Sequence, residues 1–95
     1  MATALRELIE SGTIKPPLDL ERTYKGQRFT ARVEEDGSVS FDGERYNSPS
    51  VAGAMARAKA LKASSYQATN GWVFWRFKDK QGKLMPLDVL RKPLP

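Results

Sequence analysis

Within the run Asn70-Gly71-Trp72-Val73-Phe74-Trp75-Arg76 the chain places a carboxamide, two indoles, a phenyl ring and a guanidinium side by side. That set suits nucleic-acid recognition better than a reaction. An Asn amide offers one donor and one acceptor, which matches the edge of adenine. An exposed indole stacks on a base or wedges beside a sugar, and a neighbouring cation neutralises phosphate. Each group also has a plainer use: Asn-Gly is a turn signal, and Trp pairs are ordinary core residues. Read as a strand over 72–78, the alternation turns Val73, Trp75 and Phe77 to the core. It leaves Trp72 and Phe74 either packed under a helix or on the surface beside Arg76.

Ser48-Pro49-Ser50 is a second candidate. A hydroxyl followed by proline is a helix start, with Ser48 as N-cap and Pro49 at the first helical position. Capping alone accounts for Ser48. The exposed N–H groups of such a start could also hold a phosphate, with the Ser48 or Ser50 hydroxyl assisting. The cations fall into three sets. Arg57, Lys59 and Lys62 lie on the expected solvent side of the helix that follows. Arg76, Lys78, Lys80 and Lys83 lie on the last strand and its turn, and Arg28 and Arg32 on the outer face of an earlier hairpin. Six such cations on phosphates would give a log–log salt slope of about −5.

What the chain lacks narrows the chemistry further. Its 95 residues contain no cysteine and no histidine. Disulfides, Cys/His zinc sites, thiol or imidazole nucleophiles and a histidine general base are therefore excluded. The densest acidic cluster, Glu34-Glu35-Asp36, falls at a hairpin turn and reads as solvated. The sequence offers no paired-carboxylate, Gly-rich phosphate-loop or acid–metal spacing. We therefore assign no catalytic residue, metal or cofactor and expect a non-enzymatic protein.

Charge is unevenly spread. Residues 1–47 carry seven Lys/Arg against nine Asp/Glu, whereas residues 48–95 carry nine against two, for a total of +5. A basic half of this kind attracts a polyanion. No apolar run approaches the roughly 20 residues of a membrane span, and Arg6, Glu7 and Glu10 interrupt any signal-peptide core. The expectations are a cytoplasmic location and no membrane partner.

The elements that must position these groups follow from local pattern. Thr3 is placed to cap a short helix over 4–11, with Leu5, Leu8 and Ile9 on one face and Gly12 ending it. Leu18 and Leu20 anchor a first strand through Tyr24. Lys25-Gly26 is a tight turn, and Gln27–Val33 alternates as a half-buried strand with Phe29, Ala31 and Val33 inward. Glu35-Asp36-Gly37 and Asp42-Gly43 are turns that bracket a strand over 38–41, after which Arg45-Tyr46 returns as a stub. The long helix runs from 49 to 62, with Val51, Ala54, Met55, Ala58 and Leu61 as its apolar stripe. Residues 64–69 read as loop. Pro86 opens a last helical segment, with Leu84, Leu87 and Leu90 as core candidates. The fold class is α+β: a small twisted antiparallel sheet of about four strands, one main helix packed on it, and short terminal helices. Residues 1–91 form the single domain and 92–95 a tail or the start of a linker.

The order of these pieces resembles the RAMA domain, associated with restriction enzymes and adenine methylases. It is also similar to the C-terminal DNA-binding region of cell-cycle-regulated adenine methyltransferases. The resemblance rests on Leu5-x-x-Leu8-Ile9-x-x-Gly12-x-Ile14-Lys15-Pro16, Tyr24-Lys25-Gly26, Glu35-Asp36-Gly37 and Ser48-Pro49-Ser50-Val51-Ala52-Gly53-Ala54. Its most specific part is Asn70-Gly71-Trp72-x-Phe74-Trp75. The resemblance implies binding of duplex DNA, with some relatives proposed to read modified adenine, and a restriction–modification or phage-defence setting. It further implies that Ser48, Asn70 and Trp72 match DNA-contacting positions. Two departures stand beside it. The stretch between the serine motif and Asn70 is longer here, and no methylase or nuclease segment falls within these residues, so enzyme activity is not carried over.

The expected DNA-binding residues are Ser48, Ser50, Arg57, Lys59, Lys62, Asn70, Trp72, Arg76 and Lys78. They should meet where positive potential and an accessible indole converge, at the entry to the final strand. The partner classes are DNA and a larger restriction or methylase protein. The alternative is a protein-interaction module that tethers such a protein through Trp72 and Phe74.

Overall fold

The computed structural model describes residues 5–62 and 69–91. The expected Thr3 cap, most of the 64–69 loop and the 92–95 tail lie outside these residues.

Helix α1, Leu5–Glu10, buries Leu5 and Leu8. Gly12 closes it with φ +82°, and the Thr13 and Ile14 N–H groups donate to the Leu8 carbonyl. Four strands then run as a meander: β1 Leu18–Tyr24, β2 Gln27–Val33, β3 Val39–Phe41 and β4 Glu44–Tyr46. Lys25-Gly26 and Asp42-Gly43 both turn with two positive φ angles, the geometry that matches strand twist in a two-residue hairpin. Helix α2, Pro49–Leu61, follows. A four-residue helical turn α3, Gly71–Phe74, leads into β5 Arg76–Lys78, β6 Leu84–Pro86 and a closing 3-10 turn, Leu87–Arg91.

The sheet has six antiparallel strands in the order β4-β3-β2-β1-β5-β6, where the sequence predicts about four. β6 escapes the pattern because three residues are too few to show alternation and one is Pro86. Proline is tolerated there because β6 is an edge strand. It also shifts the last helical segment to begin at Leu87 and leaves Leu84 exposed, while Leu87 is buried.

One sheet face carries the core. Leu20, Phe29, Ala31, Val33, Val39, Phe41 and Phe77 point to it, and α2 and α3 lie over it. The anchor is Trp75, fully buried, whose Nε1 donates to the Pro49 carbonyl at 3.1 Å and whose carbonyl accepts from Leu87 N–H at 3.2 Å. Rings connect the core from end to end: Phe29, Phe41, Trp75, Phe74 and Tyr24 follow one another at centroid separations of 5.1–6.0 Å.

Two expectations about faces are corrected. The buried surface of α2 is its small-residue side, with Ala52 and Ala56 in the core. Met55 and Leu61, expected inward, are 39% and 42% exposed. Alanine and glycine win because they let the helix approach the bulky Trp75, Phe74 and Phe41 closely. The expected 72–78 strand is instead the helical turn α3 followed by a three-residue strand. Val73, expected in the core, is 50% exposed, while Trp72, Phe74 and Trp75 are all buried. A helical turn points consecutive rings to different sides, so all three reach apolar surroundings, which alternation on one strand forbids.

Candidate nucleic-acid interface

The beginnings of α2 and α3 are pressed together. Ser48 Oγ accepts from Val51 N–H at 3.2 Å and caps α2. Asn70 Oδ1 accepts from Trp72 N–H at 3.1 Å and caps α3. Ser50 Oγ joins the two by accepting from Gly71 N–H at 3.0 Å. Gly71 makes the approach possible: a Cβ there would sit 2.0 Å from the Pro49 carbonyl carbon and oxygen. Ser48, Ser50 and Asn70, far apart in the chain, thus share one rim.

Asn70 is exposed. Its cap uses one lone pair of Oδ1. The second lone pair and both Nδ2 protons make no hydrogen bond among the described residues, so the amide keeps a donor and an acceptor while its orientation is fixed. One turn on, the exposed Val73 lies on the same side, as residues three apart in a helical turn do.

Trp72 does not present an open indole. It is 8% exposed, and the Arg91 guanidinium lies 4.2 Å from its ring centre. Arg91 is held there by Asp88, whose Oδ1 accepts from Nε at 3.0 Å.

Nor do the cations converge on the entry to the final strand. Lys59 pairs with Asp42 at 2.9 Å, on the side of α2 that faces the β3–β4 turn. Lys62 ends α2 in the left-handed conformation, φ 52°, and is exposed. Arg76 and Lys78 lie on the outer sheet face, with Arg76 opposite Glu21. That face alternates in sign: Arg28 pairs with Glu21 at 2.7 Å and Arg32 with Asp19 at 3.1 Å. A depression of about 740 Å3 there is lined by both signs, including Asp19, Glu21, Glu34, Arg28, Arg32 and Lys78. It presents no uniform field to a polyanion.

Arg57 is the member of the expected set that meets new partners. Its Nε donates to the Tyr24 hydroxyl at 3.3 Å and its Nη1 to Thr69 Oγ1 at 3.1 Å. Its guanidinium carbon lies 5.6 Å from the Tyr24 ring centre, and Lys25 Nζ lies 5.8 Å from it on the adjacent turn. Arg22 shares the inner face of β1 with Tyr24 and sets its guanidinium 5.3 Å from the Phe74 ring centre. The Tyr24 phenol is held below its ordinary pKa, first by the Arg57 hydrogen bond and then by the charges of Arg57, Lys25 and Arg22, against an opposing effect of burial. Sequence reasoning missed Arg22, Tyr24, Lys25 and Thr69. One signal was present: alternation through Leu18 and Leu20 already puts Arg22 and Tyr24 on the inward side, where an arginine needs a reason.

Among the described residues no group of three or more acidic, Cys or His side chains is placed to hold a metal ion. None of their helices is long and apolar enough to cross a membrane.

Comparison with curated proteins finds no match. The family model described as Restriction Enzyme Adenine Methylase Associated, RAMA, matches residues 2–94, nearly the whole chain. With the capped helix starts, the meander and the Asn70-Gly71-Trp72 turn in place, the chain belongs to the RAMA family, associated with restriction and methylase systems.

Proposed function

We propose that the chain is a duplex-DNA-binding module that reads adenine, with a preference for its methylated form, in a restriction–modification or phage-defence setting. The observation that carries this reading is the Asn70 amide: exposed, oriented by its own cap, and still holding a donor and an acceptor. That pair matches N7 and the N6 amino group of adenine. In a paired duplex the one N6–H left by N6-methylation stays on thymine, so the amide keeps its Nδ2 contact to N7, and the methyl, which takes the major-groove edge, meets the exposed Val73. The Ser48 and Ser50 hydroxyls stand beside the amide, and Arg57 lies two turns along the same helix. Trp72 enters as the residue that seats α3 from below, rather than as a stacking platform. In this reading the protein carries out no reaction, works in the cytoplasm, and serves a larger restriction or methylase protein.

Fluorescence anisotropy with matched duplexes, with and without N6-methyladenine, tests the reading. Asn70→Asp is the decisive variant, because aspartate caps as well as asparagine but lacks the Nδ2 donor. It should lose about 1–3 kcal/mol of affinity for adenine-containing sites, while Val73→Ser should narrow the gap between methylated and unmethylated duplexes. Wild-type affinity in a folded Asn70→Asp protein would refute adenine reading through this amide.

Exposed Met55 and Leu61 favour a second reading, a docking face for a protein partner. Trp72 and Phe74, the anchors first expected for it, are buried. Salt separates the two readings, since an apolar interface survives concentrations that strip DNA away.

A further inference from the structure

We infer that Arg22, Lys25 and Arg57, gathered around Tyr24, form a clamp for a single phosphate group. Its natural ligand, on the DNA reading above, is a phosphodiester of the duplex backbone.

Convergence on one phenol, rather than missing ion pairs alone, sets this cluster apart. Arg6, Arg28, Arg32, Arg45, Lys59 and Arg91 each pair with a carboxylate. Arg22 and Lys25 make no ion pair among the described residues. With Arg57, both bear on the same phenol. Gathering like charges is unfavourable unless an anion is shared between them.

The build of the cluster indicates rigidity. Arg22 Nε is closed off from solvent and has no hydrogen-bond partner, while the residue as a whole is half-exposed. The Arg22 Nε–H is thus left without an acceptor inside the fold, and an anion can reach this guanidinium only through its other nitrogens. Phe74 backs the Arg22 guanidinium at 5.3 Å, and Tyr24 and Thr69 hold that of Arg57. A buried donor without an acceptor calls for a specific reason, and oriented guanidinium groups match the oxygens of a phosphate.

Position ties the clamp to the adenine-reading rim. Arg57 stands seven residues beyond Ser50 on α2, which is roughly 10 Å along a helix at 1.5 Å per residue. That is about three base steps of duplex at 3.4 Å each, so one DNA molecule can span both.

The test has two arms. In the first, inorganic phosphate is titrated against chloride at constant ionic strength while arginine Nε–Hε and tyrosine ring resonances are followed. The expected result is a saturable shift confined to Arg22, Arg57 and Tyr24, with the Tyr24 phenol pKa moving back toward its ordinary value. Arg22→Gln and Lys25→Gln should abolish it, and Arg28→Gln, on the opposite sheet face, should not. Both tested substitutions keep a long side chain, and an unchanged amide spectrum elsewhere checks folding. In the second arm, duplex affinity is measured against salt. Each of the two variants should flatten the log–log slope by about 0.9, the value for one phosphate contact, equally for methylated and unmethylated duplexes. Phosphate shifts spread over all arginines, or absent, together with unchanged slopes, would overturn the clamp while leaving adenine reading through Asn70 intact. Localised phosphate binding without duplex binding would establish the phosphate site, overturn its assignment to DNA, and count against the DNA reading itself.

Discussion

The guanidinium carbon of Arg91 lies over Trp72, 4.2 Å from the ring centre, and Asp88 holds it in place. A cation over an indole contributes about 0.5–2 kcal/mol, more as the pair is desolvated. The contact fastens the closing 3-10 turn onto α3, the element that Asn70 caps. Arg91→Ala should therefore destabilise the fold by about 1 kcal/mol and open Trp72 to solvent. Acrylamide quenching checks this: the variant should gain a quenchable tryptophan while Trp75, at the centre of the core, stays protected. Unchanged quenching would mean that other atoms, not Arg91, cover the indole.

Much of this arrangement is legible in the sequence, for reasons that differ by element. The β1–β2 hairpin reads correctly because Phe29, Ala31 and Val33 alternate cleanly and Lys25-Gly26 sets the register. α2 starts where Ser48-Pro49 places it. The faces of α2 read only in part, Ala54 and Ala58 being buried as expected but Met55 and Leu61 exposed, because its residues are nearly all small or apolar. Which side is buried is decided by the bulk of Trp75 and Phe74 opposite, which local pattern does not contain. α3 is hidden for a related reason: Trp72, Phe74 and Trp75 look like a strand until Asn70 and Gly71 are seen to build a helical turn against Pro49. At the candidate site, Asn70 and the two serines could be singled out by type. The Tyr24 cluster left one trace, Arg22 on the inward side of β1, and its assembly stayed hidden because Arg57 reaches it from 33 residues away.

Gly71 is the most closely packed of the glycines. A methyl group there would meet Pro49 backbone at 2.0 Å and Ser50 N at 2.3 Å, and backbone cannot swing aside as a side chain can. Gly71→Ala should cost about 3 kcal/mol or more and separate Ser50 from Asn70. Gly53 is the contrast: its added methyl would meet Thr69 Cγ2 at 3.1 Å and the Phe74 ring at 3.4 Å. There the helix gain of about 1 kcal/mol works against modest crowding, so Gly53→Ala should stay near wild type. Paired denaturant melts decide it, and equal losses in the two variants would contradict this packing.

Tyr24 should titrate below the ordinary tyrosine value of 10.0. Because the folded pKa is the depressed one, the phenolate's contribution to stability is present above the unfolded value and is lost as pH falls through the folded value. Stability attributable to Tyr24 should thus rise with pH across that alkaline window. Arg57→Met removes the hydrogen bond, the largest cause, and should move the titration back up. Carbon-13 spectra of the Tyr24 ring, assigned with Tyr24→Phe, measure the midpoint directly. A midpoint unmoved by Arg57→Met would show that the hydrogen bond does not set it.

The outer sheet face tests why the proposed DNA surface lies on one side only. Arg28 and Arg32 sit there beside Arg76 and Lys78, yet Glu21 and Asp19 answer the first two across the β1–β2 register. Exposed pairs of this kind contribute about 0.2–1 kcal/mol to stability, so their removal is tolerable. Asp19→Asn with Glu21→Gln should fold, leave Glu34 as the remaining acid lining the depression, turn the face net positive, and create a second, sequence-independent DNA mode. Its salt slope should steepen by about 0.9 for each arginine that reaches a phosphate. Binding stoichiometry at low salt is the measurement. A variant that still binds one duplex with the wild-type slope would mean that the shape of the face, rather than its paired charges, keeps DNA off it.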